Sequence, residues 1–458
     1  MSLLQKKINS QQSEKQYISK KVENENIKPT ENEQKTAKDI IKELSEKYSE
    51  ELIKKGKDEI EDELASAIVR MCSKLDISFE EQKRIEKTVL MTVLGHGPIE
   101  VFLQDPEVSE IIVQHYDNVV VEKNGKLEST DVTFNNEEHL QTIIKRIVQR
   151  ADRQVNISSP IVDTRLEDGS RVNAVLPPVS VDGATLDIRK FTKQALAGAD
   201  YVRLGSLNRE MLYFLERCVR GRINIFVSGG TGTGKTTLLN MLSSFIPKNE
   251  LIVTIEDTCE LQLQQPNVRR REIRPSTTDG MLNVNQKLLV KNALRERPDR
   301  IILGEIRDGT IVDLVSAMST GHDGSMTTAH ANSPANLCNI RIPILYSWNP
   351  EVNFSEKSIA LQVAEALQII VQIKRFKDGT RRITHISHVS GVDAAGKVNI
   401  KDIFRYDEKK NQYYLTGYIP RKIIEIIKDN GLEFEESILK KDKTERVSNQ
   451  SVSREERA

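Results

Sequence analysis

Apolar positions near the start of the chain recur at three- and four-residue spacing. Ile40, Ile41, Leu44, Tyr48, Leu52 and Ile53 form one series, and Ile60, Leu64, Ile68, Val69 and Cys72 form a second after Gly56. That period predicts two amphipathic helices. A third is predicted over 79–94, ended by Gly95-His96-Gly97-Pro98. The pieces are short and broken at Gly56 and Asp76, so they read as a small packing bundle rather than a coiled coil. Ahead of them, residues 1–37 are rich in Glu, Lys, Asn and Gln with scattered apolar positions, which predicts a disordered arm.

From Pro98 the texture becomes mixed. Residues 110–113 and 119–122 read as strands, Asn124-Gly125 as a hairpin turn, and 140–148 as a helix. Two more strands, 170–176 and 184–190, follow the turn Glu167-Asp168-Gly169. Further on, 223–227, 251–255 and 300–305 are short apolar runs of the kind a parallel sheet buries on both faces. Helical stretches at 237–242 and 284–297 lie between them, the second stopped by Pro298. A helix over 355–367, strands 368–374 and 381–392 about the Asp378-Gly379 turn, and a last edge strand at 402–406 complete the pattern. Residues 440–458 form a charged tail without a folding signal.

Chemistry enters at the end of the first of those apolar runs. Gly229, Gly230, Thr231, Gly232, Thr233, Gly234, Lys235 and Thr236 fit the phosphate-loop spacing without substitution, and Thr237 leads into the following helix. Strand, loop and helix is the context the motif requires. The glycines allow backbone N–H groups to converge on one anion at a helix N-terminus. Lys235 is expected to reach the β/γ-phosphates of ATP, and the Thr236 hydroxyl to hold Mg²⁺. The second apolar run delivers Glu256, Asp257 and then Glu260 at its C-terminal end, where ligands bind in a doubly wound sheet. The third ends in Glu305, the Walker-B arrangement, with Gly304 where many such strands carry Asp. Glu305 is thus a second candidate for Mg²⁺ or for water. His322 and His330 lie in one Gly/Ser/Thr-rich stretch just beyond, placed to contact a γ-phosphate or to report its loss. Arg165, Arg171 and Arg189 sit at turns or strand ends; taken singly, each has the ordinary explanation of a solvated surface or a carboxylate partner. The basic group Lys374, Arg375, Lys377, Arg381 and Arg382 is read in the same way, as solvated strand ends or a docking face.

Composition narrows the function classes. The 458 residues carry 67 basic and 67 acidic side chains, so phosphate neutralisation gives no overall support for nucleic-acid binding. Cys72, Cys218, Cys259 and Cys338 form no Cys-x-x-Cys pair, which argues against a metal module and suits a reducing cytoplasm. No run of about 18 apolar residues is present to cross a bilayer, and residues 1–7 lack the apolar core of a signal peptide. Membrane association is therefore expected through a partner.

Taken together, the loop 229–236, the box Thr254-Ile255-Glu256-Asp257, the stretch 297–307 and the histidine box 321–334 resemble the secretion and pilus-assembly ATPases of the type II/type IV superfamily. The resemblance is nearest to the CpaF-like motors of tight-adherence pili. It runs over roughly 90–410, taking in Gly95-His96-Gly97-Pro98-Ile99-Glu100, Ser158-Ser159-Pro160-Ile161-Val162-Asp163 and the stretch 165–173. It implies an α/β fold: a RecA-like P-loop domain with a parallel central sheet, preceded by a mixed α/β N-terminal domain and a small helical N-terminal region. The expected boundaries are an arm at 1–37, a helical region at 38–97, the mixed domain at 98–195, the RecA-like domain at 196–412, and a C-terminal helix and charged tail at 413–458. It further implies a homohexamer that hydrolyses ATP between its two domains and drives an inner-membrane platform protein. In that family arginines of the N-terminal domain complete the site, which gives Arg165, Arg171 and Arg189 a role; the paired acids map onto Glu256 and Glu305. A conjugation-type ATPase or a RecA-like nucleic-acid translocase is the alternative. The stretch 341–350 departs from the family's run after the histidine box.

Overall fold

The computed structural model describes residues 30–48, 57–123, 125–151, 153–191, 196–274 and 283–440. Residues 1–29, Leu52, Ile53, Gly56, Asn124 and the tail from 441 lie outside them, with the expectations placed there. The chain divides into two compact units, Met1–Lys190 and Phe191–Ala458.

In the first unit, helices Glu31–Lys47, Lys57–Cys72 and Phe79–Leu94 enclose a core of Ile40, Leu44, Ile60, Leu64, Ile68, Ile85 and Val89. The first helix starts inside the stretch read as a disordered arm, so 31–37 is a correction. Its cause is local. Thr30 accepts a hydrogen bond from the Glu33 amide while the Glu33 carboxylate accepts from the Thr30 amide, a capping box that satisfies two orphan donors. Arg84 then fastens Glu33 at 2.6 Å and holds its carboxyl below the usual range.

Six strands follow: β1 (Val108–His115), β2 (Asn118–Lys123), β3 (Lys126–Ser129), β4 (Ile161–Arg165), β5 (Arg171–Val175) and β6 (Thr185–Arg189). They pair in the order β3-β2-β1-β6-β5-β4. Helix Glu137–Arg150 contributes Leu140, Ile143, Ile144 and Ile147 to the core beneath the sheet, and Asn136 caps its start. Its buried Arg146 donates to the Val93 and Gly95 carbonyls and so ties the helical bundle to this layer. Strand β4 is not expected from the sequence, because only Ile161 and Val162 are apolar before Asp163, Thr164 and Arg165, and of the five residues only Val162 is buried.

The second unit is a nine-stranded sheet in the order β15-β14-β13-β12-β7-β11-β10-β8-β9. Its strands are β7 (Ile225–Gly229), β8 (Ile252–Glu256), β9 (Val268–Glu272), β10 (Arg300–Leu303), β11 (Met326–Ala329), β12 (Ile369–Arg375), β13 (Arg381–Val392), β14 (Val398–Asp407) and β15 (Gln412–Leu415). From β12 to β9 every pairing is parallel, and β12 through β15 form an antiparallel meander. Strands β7, β8 and β10 are buried throughout, as their apolar runs require of a sheet covered on both faces, and β11 is buried with them although two of its four residues are threonines. One face packs on Phe214, Leu238 and Leu242; the other packs on Val290, Leu314 and Val363.

Two expectations change here. The strand read as the last edge, β14, is internal, because residues 408–411 turn the chain back and β15 covers it, with Asn411 at φ +50° making the turn. Residues beyond 412 are not an appendage: β15 is part of the sheet, and Ile423, Ile427, Phe434 and Leu439 sit in the same core as Phe214.

Candidate functional site

Strand β7 ends in the phosphate loop, and helix Lys235–Ser243 begins immediately after it. Gly232 and Gly234 adopt φ +68° and +89°, the left-handed conformation that side-chain-bearing residues avoid. Gly229 is required for a different reason: a Cβ there would lie 2.4 Å from the Ile373 carbonyl oxygen. Lys235 is buried, and its ammonium donates to the Gly230 carbonyl at 2.9 Å; the Thr233 hydroxyl donates to the same oxygen. Thr236 and Thr237 occupy the helix's first turn, where backbone N–H groups have no partner within the helix. Glycine geometry, open N–H groups and an ammonium at one helix end form a cradle that fits a polyphosphate.

The acids arrive from the neighbouring strands. Strands β8 and β10 pair with Ile255 opposite Leu303, which sets Glu256 beside Gly304. A Cβ at 304 would lie 3.0 Å from the Glu256 Cγ. The missing aspartate is thus a packing consequence: the glycine leaves the space that the Glu256 side chain crosses. Glu256 is 2% exposed, and one of its oxygens accepts from the Glu260 and Leu261 amides at 2.7 and 2.9 Å. The other, Oε1, is buried and has no hydrogen-bond partner among the described residues. Burial pushes the Glu256 carboxyl above its ordinary range, with the two amides pulling the other way.

Glu305 follows directly. Its Oε2 accepts from Arg307 at 2.5 Å, and Arg307 also lies 3.1 Å from Asp257. Its Oε1 stands 2.7 Å from His330 Nε2, at ion-pair distance but outside hydrogen-bond geometry. His330 comes at the end of β11, which inserts between β7 and β10 and so carries the imidazole between loop and acid. Its ring nitrogens lie 3.3 and 3.5 Å from the Lys235 ammonium. Burial, then the Lys235 charge, hold His330 below its ordinary range, while Glu305 opposes them. Among the described residues no cluster of three or more His, Cys, Asp or Glu could hold a metal by itself. A hard cation taking a hydroxyl, a carboxylate and substrate oxygens fits this donor set, as Mg²⁺ at phosphates does.

The structure separates the two histidines. His322 lies in the turn before β11, at the strand-start edge of the sheet, where Asn224, preceding β7, accepts hydrogen bonds from the Gly324 and Ser325 amides. The phosphate loop is at the opposite edge, so the pairing of His322 with His330 at one phosphate is corrected: only His330 stands beside Lys235 and Glu305. Proximity in sequence misled because four strand residues separate two edges of a sheet.

In the first unit, Arg165, Arg171 and Arg189 are cross-strand partners. Arg165 pairs with Arg171 across β4 and β5, and Arg171 with Arg189 across β5 and β6. Directly opposed residues share a face, so three cations form one row. Glu110 stands opposite Arg189 on β1, 3.7 Å away, and Arg189 is exposed. Two further arginines belong here: the sequence signals Arg307 only by its alternation with Glu305, and Arg381 only as one of a basic group at strand ends.

Phosphate loop, paired acids at adjacent strand ends and an imidazole between them define a P-loop nucleoside-triphosphate hydrolase. The chain belongs to the type II/IV secretion system protein family, whose family model matches residues 92–454. A putative conjugal transfer protein of Mycobacterium tuberculosis is 30% identical over 326 residues, 70% of this chain and 91% of that one. The type IV secretion system protein VirB11 of Bartonella quintana is 30% identical over 338 residues, 66% of this chain and 94% of the other. An uncharacterized protein of Methanocaldococcus jannaschii is 41% identical over 245 residues; the match takes in 51% of this chain and 34% of that longer relative.

Gly304→Ala tests the space given to Glu256. The added methyl displaces a carboxylate that two amides aim, and displacement of about 1 Å costs on the order of a hundredfold in rate. The expected result is a fall in nucleotide turnover of about tenfold to a hundredfold with nucleotide affinity retained. Turnover equal to the parent protein's removes Glu256 from the chemistry.

Proposed function

We propose that the protein is a motor ATPase working as a homohexameric ring at the cytoplasmic face of the inner membrane. It hydrolyses ATP to ADP and phosphate and spends the energy on pilus assembly or protein secretion through an integral membrane platform protein, in the CpaF-like branch of its family. The observation that carries the reading is the line Lys235, His330, Glu305, with successive separations of 3.3 and 2.7 Å at the mouth of the phosphate loop.

Lys235 leaves the Gly230 carbonyl to meet the β/γ-phosphates, and the loop amides orient them. Mg²⁺, held by Thr236 and Glu305, would add charge stabilisation at those oxygens. Glu256 and Glu305 are the two carboxylates available to align and deprotonate water. Arg307 draws on Glu305 and orients it; Glu256 is orientated by its amides and keeps one buried oxygen for water. His330, kept neutral by burial and by Lys235, senses loss of the γ-phosphate rather than serving as base, because two acids already fill that role. Arg165, Arg171 and Arg189 supply positive charge to the nucleotide in the assembled ring. Contact with the membrane is assigned to the platform protein; no described helix is long and apolar enough to cross a bilayer.

A conjugation-type secretion ATPase is the second reading, and the name carried by the mycobacterial relative favours it. Direct work on nucleic acid is disfavoured by the formal charge of zero.

Turnover measured against protein concentration, with light scattering on the same samples, tests the ring. Specific activity is expected to rise with assembly, and Arg189→Ala to lower it at full assembly by about tenfold or more, as loss of an arginine at a phosphate does. A fully active monomer overturns the assembled site.

A further inference from the structure

Strand β12 is the parallel neighbour of β7 on the side away from β11, with Ile373 opposite Gly229. Its end therefore runs alongside the start of the phosphate loop. Gly379, at φ +84°, turns the chain back into β13, and the hairpin register places Arg375 opposite Arg381 and Lys374 opposite Arg382. Two successive like-charge pairs at one hairpin end work against the fold. The outer pair is relieved nearby: Lys374 meets Glu408 at 2.6 Å, while Arg382 donates to the Gly205 carbonyl at 2.8 Å and lies 5.2 Å from the centre of the Tyr406 ring.

The inner pair turns toward the phosphate loop. Arg381 Nε donates to the Gly232 carbonyl at 3.2 Å. A Cβ at Gly232 would lie 3.6 Å from an Arg375 guanidinium nitrogen, and one at Gly234 would lie 3.3 Å from the Arg381 Cδ. The backbone beneath is anchored independently, since the Ser206 hydroxyl donates to the Arg381 carbonyl and the Ile383 amide to the Ser206 carbonyl. The loop's two left-handed glycines thus sit against two arginine side chains presented by the β12–β13 hairpin, some 140 residues further along the chain.

We propose that Arg381 is a positioning residue for the phosphate loop, and that Arg381 and Arg375 together supply the cationic wall against which a nucleoside polyphosphate binds. The inference rests on the nucleotide reading above and adds a basic hairpin within the same unit to it. By holding the Gly232 carbonyl outward, Arg381 keeps the peptide's oxygen away from the anion.

Equilibrium binding of ADP, followed by calorimetry on the full chain at two salt concentrations, tests it. Arg381→Ala is expected to weaken ADP binding by about fivefold to tenfold, one charge-assisted contact's worth. It should also flatten the dependence of affinity on salt, while the melting temperature holds because the side chain is exposed. Arg381→Lys should restore the salt dependence but only part of the affinity, as the charge returns without the Nε–H. In turnover, KM should rise more than kcat falls. Lys377→Ala, which removes one exposed charge from the same hairpin's turn, should leave affinity unchanged. ADP affinity of Arg381→Ala within twofold of the parent overturns the proposal, and so does equal weakening by Lys377→Ala. Lys235→Ala measured alongside separates the two readings. If Lys235→Ala loses ADP and Arg381→Ala keeps it, the hairpin role fails alone; if the parent protein binds no ADP, both fail.

Discussion

Glu305→Gln is expected to lower ATP turnover by about a hundredfold to ten-thousandfold, the range for losing a positioned acid–base group, with ATP affinity within a few-fold of the parent's. The amide keeps the shape and the Arg307 side of the site but removes the charge that faces His330 and the cation. Lys235→Ala should lose turnover to a similar degree and weaken nucleotide binding as well, since it removes the ammonium from the mouth of the loop. The contrast between the two, binding kept in one and lost in the other, separates chemistry from capture. Phosphate release at the parent rate by either purified variant would remove the site from consideration. The choice of which acid activates water then follows from comparing Glu305→Gln with Glu256→Gln at saturating ATP and Mg²⁺.

The largest stability effect is expected far from that chemistry. Arg300, at the start of β10, has no exposed surface. Its guanidinium meets both Glu250 oxygens, at 2.6 and 3.0 Å, and donates to the Val219 and Gly324 carbonyls. Gly324 is in turn obligatory, because a Cβ there would lie 2.5 Å from that guanidinium. Removing one partner of such a pair leaves a buried charge uncompensated, which costs about 3–5 kcal/mol. Arg300→Ala should therefore lower the free energy of unfolding in urea by that amount, less whatever Arg222, 3.7 Å from Glu250, returns. The double replacement Arg300→Met with Glu250→Leu should recover most of the loss, because two apolar side chains carry no desolvation penalty. A single variant that loses less than about 1 kcal/mol, the range of an exposed pair, contradicts a structural role for the bridge.

These two effects differ in how far the sequence foretold them. Lys235 and Glu305 were legible because each belongs to a short motif on a strand end. Arg300 was visible only as the first residue of an apolar run. Nothing near it in sequence reveals that Glu250, fifty residues earlier, closes onto it.

The sequence by itself determined whatever is local: the phosphate loop with its left-handed glycines, the buried β-branched strands, the helix that follows the loop, and the acids at the strand ends. Backbone conformation and side-chain period are properties of a few consecutive residues, so they can be read from them. It misjudged the start of the first helix, where a capping box outweighed a polar composition, and the edge at β14, where one more short strand follows. Only the tertiary structure decided which distant segments lie side by side. Strand order put β11 between the loop and Glu305, brought His330 to the site and left His322 at the other edge. Register aligned Arg165, Arg171 and Arg189 in one row, and set Gly304 where Glu256 needs room. The β12–β13 hairpin carried Arg381 to Gly232. Pairing of strands is settled by the burial of whole faces and by hydrogen-bond ladders between segments far apart in the chain, and a one-residue change of register would move every one of these side chains to the other face.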